Sequence, residues 1–215
     1  MINPNNSVYI AILNQGHVRV DLANNLFTAI TNSRIRTKVV WPSAQTVDNN
    51  RNQIVRRFLD TDFSHLLMID DDTVPPPNIL ELLNYDKDII AAPVTQWHEN
   101  DMYWVIMDWV AEEQAFRQVP PDRRNGLQKV DGVGTGCILI KRGVLESVQK
   151  PFERLWDQYG IQALGQDFYF CRKATELGFE VWAHWDYPCL HYKSIDLIKV
   201  WELVDKYVQE NTPKK

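Results

Sequence analysis

Apolar and polar positions follow two regimes along the chain. Segments of strand length, the near-continuous apolar run Ser7 to Leu13, then Arg36 to Trp41, the apolar run Leu66 to Ile69, and Lys87 to Ala92, alternate with segments whose apolar residues recur at helical spacing. Val18, Leu22, Leu26 and Ile30 make one such stripe over Val18 to Ile30. Ile54, Val55, Phe58 and Leu59 make another over Asn49 to Leu59. A strand that is apolar at every position is covered on both faces, so this half predicts β-α-β units with right-handed crossovers in a parallel sheet. Asn14-Gln15-Gly16-His17 breaks the first strand with turn residues, Pro42 stops the second, and a short helix is expected over Pro77 to Leu83.

From Pro93 the pattern changes. Met102 to Val110 has no helical period and is rich in Trp and Tyr, while Ala115 to Val119 and Gln128 to Asp131 read as short strands. Antiparallel hairpins at one end of the sheet account for this. Between them, the loop Pro120 to Gly126 has little in its sequence to hold it and reads equally as a lid or an ordinary exposed loop. Asp131-Gly132-Val133-Gly134-Thr135-Gly136 has the look of a dinucleotide fingerprint, but Cys137 to Ile140 after it is a strand, so that reading fails on context. The glycines instead allow close approach of a ligand or of a neighbouring strand. Arg142 to Gln149 is a short helix. Ala163 to Leu177 is a longer one, with a stripe of Leu164, Phe168, Cys171 and Thr175 and a stop at Gly178. Phe179 to Trp182 returns as a strand, Pro188 to Tyr192 is extended, Ile195 to Val208 is amphipathic, and Asn211 to Lys215 is expected to fray.

The chemistry concentrates at Leu66-Leu67-Met68-Ile69-Asp70-Asp71-Asp72-Thr73, followed by Pro75-Pro76-Pro77. A buried strand delivers three carboxylates at its carboxyl end, where open α/β sheets bind ligands. Adjacent carboxylates repel one another, and a hard cation such as Mg²⁺ or Mn²⁺ is the simplest partner to offset this. The plainer alternative has Asp72 or Thr73 capping the next helix and the other acids solvated. Arg51, Arg56 and Arg57 lie off the apolar stripe of their helix, where arginines are usually solvated surface.

Length and charge narrow the classes. A chain of 215 residues can bury a sizeable core, and no Ser/Gly linker divides it. A net charge of −5 and a pI near 5.5 argue against tight non-specific nucleic-acid binding. An anionic substrate would therefore need a metal or clustered arginines. Cys137, Cys171 and Cys189 form no CxxC pair, which fits a reduced cytosol. The segment Met1 to Asn6 lacks the marks of a signal peptide and no apolar stretch approaches membrane-spanning length, so a cytoplasmic location is expected, the host cytoplasm if the chain is viral.

In combination, the N-terminal β-α-β half, the strand ending in Asp70-Asp71-Asp72, the turn and strand Gly134-Thr135-Gly136-Cys137-Ile138-Leu139-Ile140, and Gly165-Gln166-Asp167 at a helix start followed by His191 resemble the GT-A nucleotide-sugar-dependent glycosyltransferases. The resemblance is to small members related to the large inverting family and spans roughly residues 7 to 193. It implies a single α/β domain over residues 1–215 with a Rossmann-like, mostly parallel sheet flanked by helices and a small antiparallel Trp-rich edge. The nucleotide-binding half would cover about 7–92, the acceptor half about 93–193, and a C-terminal helix about 195–210. Asp70-Asp71-Asp72 stands as the family's Asp-x-Asp motif. Asp72 would then ligate Mn²⁺ or Mg²⁺, with Asp70 on the ribose or the metal's waters, Asp71 beside the nucleotide, and His191 as a third ligand. Leu13, Asn14 and Gln15, with Arg51 or Asn52, would cradle base and ribose of a UDP-sugar or GDP-sugar. Asp167 would be the general base; the acid that usually precedes it is replaced by Gln166. Trp97, Gly134, Thr135, Gly136 and Gln166 would face the sugar or acceptor. The residues leave that acceptor open among glycan, protein, lipid-linked sugar and modified DNA, and a compact member of this kind suits a bacterium, virus or phage.

Two other readings compete. Asp70-Asp71-Asp72-Thr73-Val74 also fits the motif of haloacid-dehalogenase-like phosphatases, with Asp70 as nucleophile and Asp72 as acid/base. Those enzymes carry it on the first strand, whereas here it ends the third and three prolines follow. The other is a non-catalytic sugar- or nucleotide-binding module that uses the Trp-rich segment. A lone histidine such as His191 is more often simply packed, and Asp167 alone reads as a plain acid favoured by a helix N-terminus.

Overall fold

A computed structural model describes residue 3 and residues 5–43, 46–98, 101–194 and 196–211; most of the expected frayed tail, and Ile195 at the start of the expected C-terminal helix, lie outside these. Strand β1 (Ser7–Leu13), helix α1 (Val20–Ser33), strand β2 (Arg36–Val40), helix α2 (Val47–Leu59) and strand β3 (His65–Asp70) form the expected crossover units. The two-residue strand β4 (Thr73–Val74) follows the acids. A 3₁₀ helix over Ile79–Tyr85 then leads to β5 (Ile89–Ala91).

The second half supplies hairpins and the rest of the sheet. Strands β6 (Thr95–His98) and β7 (Asp101–Trp104) pair antiparallel, as do β8 (Ile106–Val110) and β9 (Ala115–Gln118). Strand β10 (Leu127–Val130) comes next, then β11 (Gly132–Val133), which pairs with β8. Strand β12 (Cys137–Lys141) leads into α3 (Arg142–Ser147), and β13 (Leu155–Trp156) pairs with β14 (Gln162–Leu164). Helix α4 (Gln166–Glu176), β15 (Val181–His184), β16 (Leu190–His191) and α5 (Leu197–Asn211) complete the chain.

The main sheet has seven strands in the order β10-β15-β5-β12-β3-β1-β2. Strands β1, β2, β3, β5 and β15 run one way, and β12 and β10 run against them. The sheet is therefore mixed α/β and mostly parallel. Its core lies on both faces, because successive strand residues point to opposite sides. On β1, Tyr9, Ala11 and Leu13 join the layer of Ile54, Phe58 and Phe170. Val8, Ile10 and Ile12 join Leu22, Leu26 and Leu83 on the other.

Three expectations change. Helix α4 starts at Gln166, because Leu164 pairs with Leu155 in a short ladder and Gly165 is extended at φ −64°, ψ 160°. Its buried residues are Gln166, Phe170, Cys171 and Ala174, while Phe168 is half-buried and stacks on Phe116. Loop 120–126 is held: Arg123 reaches Asp108 at 2.6 Å, Arg124 Nε donates to the Val119 carbonyl at 2.8 Å, and the Trp185 amide donates to the Gly126 carbonyl at 2.9 Å. The glycine turn serves mainly strand approach. A Cβ on Gly134 would lie 2.8 Å from Val105 Cγ1, and one on Gly132 2.8 Å from Phe168 Cδ1.

Helix α5 has no buried residue. Among the described residues no helix is long and apolar enough to cross a membrane, and Cys137, Cys171 and Cys189 are free and buried.

Candidate active site

Backbone pairing brings three distant segments to the end of β3. Leu13 stands level with Asp70 in the parallel register, and the Asp71 amide donates to the Leu13 carbonyl at 2.9 Å. The Asp70 amide donates to the Gly136 carbonyl at 2.9 Å, tying in the glycine turn that enters β12. Beyond the acids, β4 pairs with β16, so His191 lies opposite Thr73 and the Tyr192 amide donates to the Asp72 carbonyl at 2.9 Å. The histidine more than a hundred residues downstream in the sequence is placed by this short ladder.

Two adjoining clefts open at this point. One of about 240 Å³ is lined by Leu13, Asn14, Gln15, Asn50 and Asp71. The other, about 430 Å³, is lined by residues including Arg51, Gln96, Tyr103, Gly134 to Gly136, Gln166, Asp167 and His191. Val47, Asp70, Asp72 and Lys193 border both. Three buried polar atoms on these walls, Asn50 Oδ1, Arg51 Nε and Gln166 Oε1, have no hydrogen-bond partner. Leaving a buried polar atom unpaired costs about 1–3 kcal/mol, so such atoms at a cleft are what a bound polar ligand would satisfy.

The three acids have different surroundings. Asp70 receives Arg51 Nη2 at 2.8 and 3.0 Å, yet burial pushes its carboxyl above the usual range, against the pull of Arg51 and with help from Asp72. Asp71 Oδ2 accepts from the Gln15 amide at 3.1 Å and so faces the smaller cleft. Asp72 is shifted far the other way. Burial acts to raise it, but His191 and Lys193 hold its carboxyl well below the usual range. Lys193 Nζ is 2.7 Å from Asp72 Oδ2, and His191 Nε2 is 3.3 Å from the same oxygen.

His191 is oriented for that oxygen. Its Nδ1–H donates to the Thr95 carbonyl in a short hydrogen bond, which leaves Nε2 facing the carboxylate. In the neutral ring, two lone-pair atoms would then confront each other, so the arrangement needs a cation between them or a proton on Nε2. The hydrogen bond to Asp72 accordingly raises the imidazole above its ordinary value. A backbone carbonyl accepting from Nδ1–H is also how the non-ligating nitrogen of a metal-bound histidine is held. Asp72 and His191 are the two side chains at this point that could hold a divalent ion. Among the described residues no three metal-binding side chains converge, since Asp70 is turned to Arg51.

On the far wall, Asp167 stands in the first turn of α4. Burial raises its carboxyl, while the Phe168 amide, donating to Oδ1 at 2.9 Å, and the charge of Arg51 act the other way. Gly165 leaves room for it: a Cβ there would lie 2.7 Å from Asp167 Oδ1.

The other expected residues divide. Leu13, Asn14, Gln15, Asp71 and Arg51 border the clefts, with Gly134, Thr135, Gly136 and Gln166. Asn52 does not. Its side chain donates to the Asp48 and Phe152 carbonyls and accepts from the Phe152 amide, tying α2 to the loop before β13. Trp97 borders a neighbouring hollow with Met102, His191 and Lys193. Gln96 and Tyr103, paired across the β6–β7 hairpin, take the main cleft instead. Trp104 packs edge-on against Trp185 and Trp109 against Phe116.

No family model matches the sequence, and no curated protein does. The fold, however, is shared with solved structures. Protein A197 from STIV superposes with a TM-score of 0.57 at 18% identity over 88% of this chain and 86% of that one. The inositol-1-phosphate CTP transferase from T. maritima does so with a TM-score of 0.51 at 12% identity over 100% of both chains. At these identities the likeness establishes the fold, an α/β architecture that a nucleotide-using transferase also has.

Lys193, Asn50 and Gln96 also line the clefts, beyond the residues singled out from the sequence, whereas Tyr103 belongs to the aromatic segment expected to meet the sugar or acceptor. Lys193 follows His191 by two positions and could have been found from that spacing, because alternate residues of an extended segment share a face. Asn50 lies one residue before Arg51, but nothing in the sequence marks which turn of α2 meets the strand ends.

Proposed function

We propose that the protein transfers a sugar from a nucleotide-diphosphate sugar to an acceptor hydroxyl. The observation that carries this reading is that one acidic wall, Asp70 and Asp72, is shared by two adjoining clefts, both with buried unpartnered polar atoms. A substrate with a nucleoside at one end and a sugar at the other suits such a pair, with its diphosphate at the shared wall. In this reading the nucleoside lies along Leu13, Asn14, Gln15 and Asn50, and the sugar against Gly134 to Gly136 and Gln166. Asp72 and His191 Nε2 would hold Mn²⁺ or Mg²⁺, which would supply Lewis-acid stabilisation of charge on a diphosphate.

The chain's own residues handle the proton and the geometry. An acceptor hydroxyl is a weak nucleophile until its proton is removed in the transition state. Asp167 would take that proton as the hydroxyl oxygen bonds to the anomeric carbon and the bond to the diphosphate oxygen breaks, its electron pair leaving with the diphosphate. Attack from the face opposite the leaving group inverts the anomeric carbon. The raised carboxyl of Asp167 makes it a better base than a solvated aspartate. Tyr103 would offer a ring face for the C–H surface of a sugar.

A thermal-shift screen of UDP-, GDP- and CDP-sugars with Mn²⁺ should reveal stabilisation that grows with the logarithm of donor concentration. Product analysis then decides the reaction. A nucleoside diphosphate released on acceptor addition supports the proposal. Pyrophosphate from CTP would make the chain a nucleotidyltransferase, as the name of the T. maritima neighbour describes that protein. Phosphate from a phosphomonoester would favour a phosphatase, and binding without turnover a module.

A further inference from the structure

One carboxylate oxygen, Asp72 Oδ2, has two nitrogen neighbours: the imidazole Nε2 of His191 at 3.3 Å and the ammonium of Lys193 at 2.7 Å. A divalent ion held by Asp72 and His191 would compete with Lys193 for the Asp72 carboxylate. The two side chains differ in freedom. His191 is pinned at Nδ1 by the Thr95 carbonyl and is 8% exposed, whereas Lys193 is 46% exposed on a flexible four-carbon stem. The lysine is therefore the partner that can move. It also stands where the two clefts meet, beside Asp70 and Asp72.

Charge requires such a residue. A diphosphate diester carries about two negative charges at neutral pH and must approach three carboxylates. Asp70 is matched by Arg51, which leaves Asp71 and Asp72 facing it. With only two protein donors for a metal, a further cation at the shared wall lowers the repulsion that the ligand meets.

Resting on the glycosyl-transfer reading, we infer that Lys193 is a phosphate-binding catalytic residue that sits on Asp72 in the free protein and passes to the donor's diphosphate when the site fills. No proton or bond changes hands at Lys193. The ammonium exchanges a hydrogen bond from a carboxylate oxygen to a phosphate oxygen and stabilises the charge that this oxygen gains as the sugar departs. The same exchange makes Lys193 a competitor of the divalent ion in the absence of nucleotide.

Those two roles predict opposite changes in one variant. Lys193→Met should bind Mn²⁺ alone more tightly, by about tenfold, read from the electron-spin signal of free Mn²⁺. It should bind the nucleoside diphosphate that the wild type prefers about tenfold more weakly in EDTA, read by titration calorimetry. Lys193→Arg should keep most of that metal-free affinity, since it retains the charge. An unchanged Mn²⁺ affinity, or an unchanged metal-free diphosphate affinity, in Lys193→Met overturns the inference while leaving glycosyl transfer standing. A wild type that binds neither UDP, GDP nor CDP, with or without Mn²⁺, overturns both.

Discussion

Arg51 Nη2 donates to both carboxylate oxygens of Asp70, at 2.8 and 3.0 Å, from a side chain that is 4% exposed. This arginine belongs to the interior, and the pair joins α2 to the carboxyl end of β3. Removing one partner of such a pair strands the other charge. Because Asp70 is 31% exposed, water can partly compensate, and Arg51→Met should cost about 2–3 kcal/mol in urea unfolding. The double variant Arg51→Met with Asp70→Asn should regain most of it, and equal losses in single and double variants would show that the two are not coupled.

Asp72 and His191 are expected to act together on a divalent ion. Asp72→Ala should lower Mn²⁺-supported binding of UDP or GDP by at least about tenfold, and His191→Gln by a smaller factor, since the carboxylate carries the charge. Calorimetric titration with and without Mn²⁺ checks this. An unchanged Mn²⁺ dependence in Asp72→Ala would remove that residue from the metal site.

Asp167→Asn keeps the shape of the cleft and removes the proposed base. Transfer should slow by roughly 10²-fold or more while donor and metal affinities stay put. Near wild-type turnover, or a product that retains the donor's anomeric configuration, would reject the inverting mechanism.

The stability of the fold should fall on acidification through His65. Burial, with the charge of Lys141, lowers this imidazole from 6.5 to about 4. In the unfolded chain it takes a proton near pH 6.5, whereas in the folded chain it stays neutral until about pH 4. Its contribution is therefore fully present above pH 6.5 and is lost as pH falls from there toward 4, an effect of about 3 kcal/mol. Denaturant midpoints should show this slope between pH 6.5 and 4 in the wild type and a flatter one in His65→Gln. Equal slopes would place the acid sensitivity elsewhere.

The sequence by itself determined the crossover units and the site's first component. Runs such as Tyr9 to Leu13 and Leu66 to Ile69 are apolar at every position, which only a strand buried on both faces requires, and the acids after Ile69 had to emerge at that strand's end. What periodicity could not carry was direction and partnership. Strand β12 reads as any buried strand, yet it runs antiparallel between β3 and β5 and so brings Gly134 to Gly136 to the acids. Leu164 fits the stripe of α4 but is drawn into a ladder with Leu155, since pairing in a short hairpin outweighs the helical period. Asn52 and Arg51 are neighbours on one helix, and only the docking angle of α2 turned one to Phe152 and the other to Asp70. His191 and Lys193 reached Asp72 through two paired residues of β16 and β4, a contact across more than a hundred positions that no local pattern encodes. Strand ends are set by burial, which the order of residues records. The partners that meet there are set by tertiary pairing, which it does not.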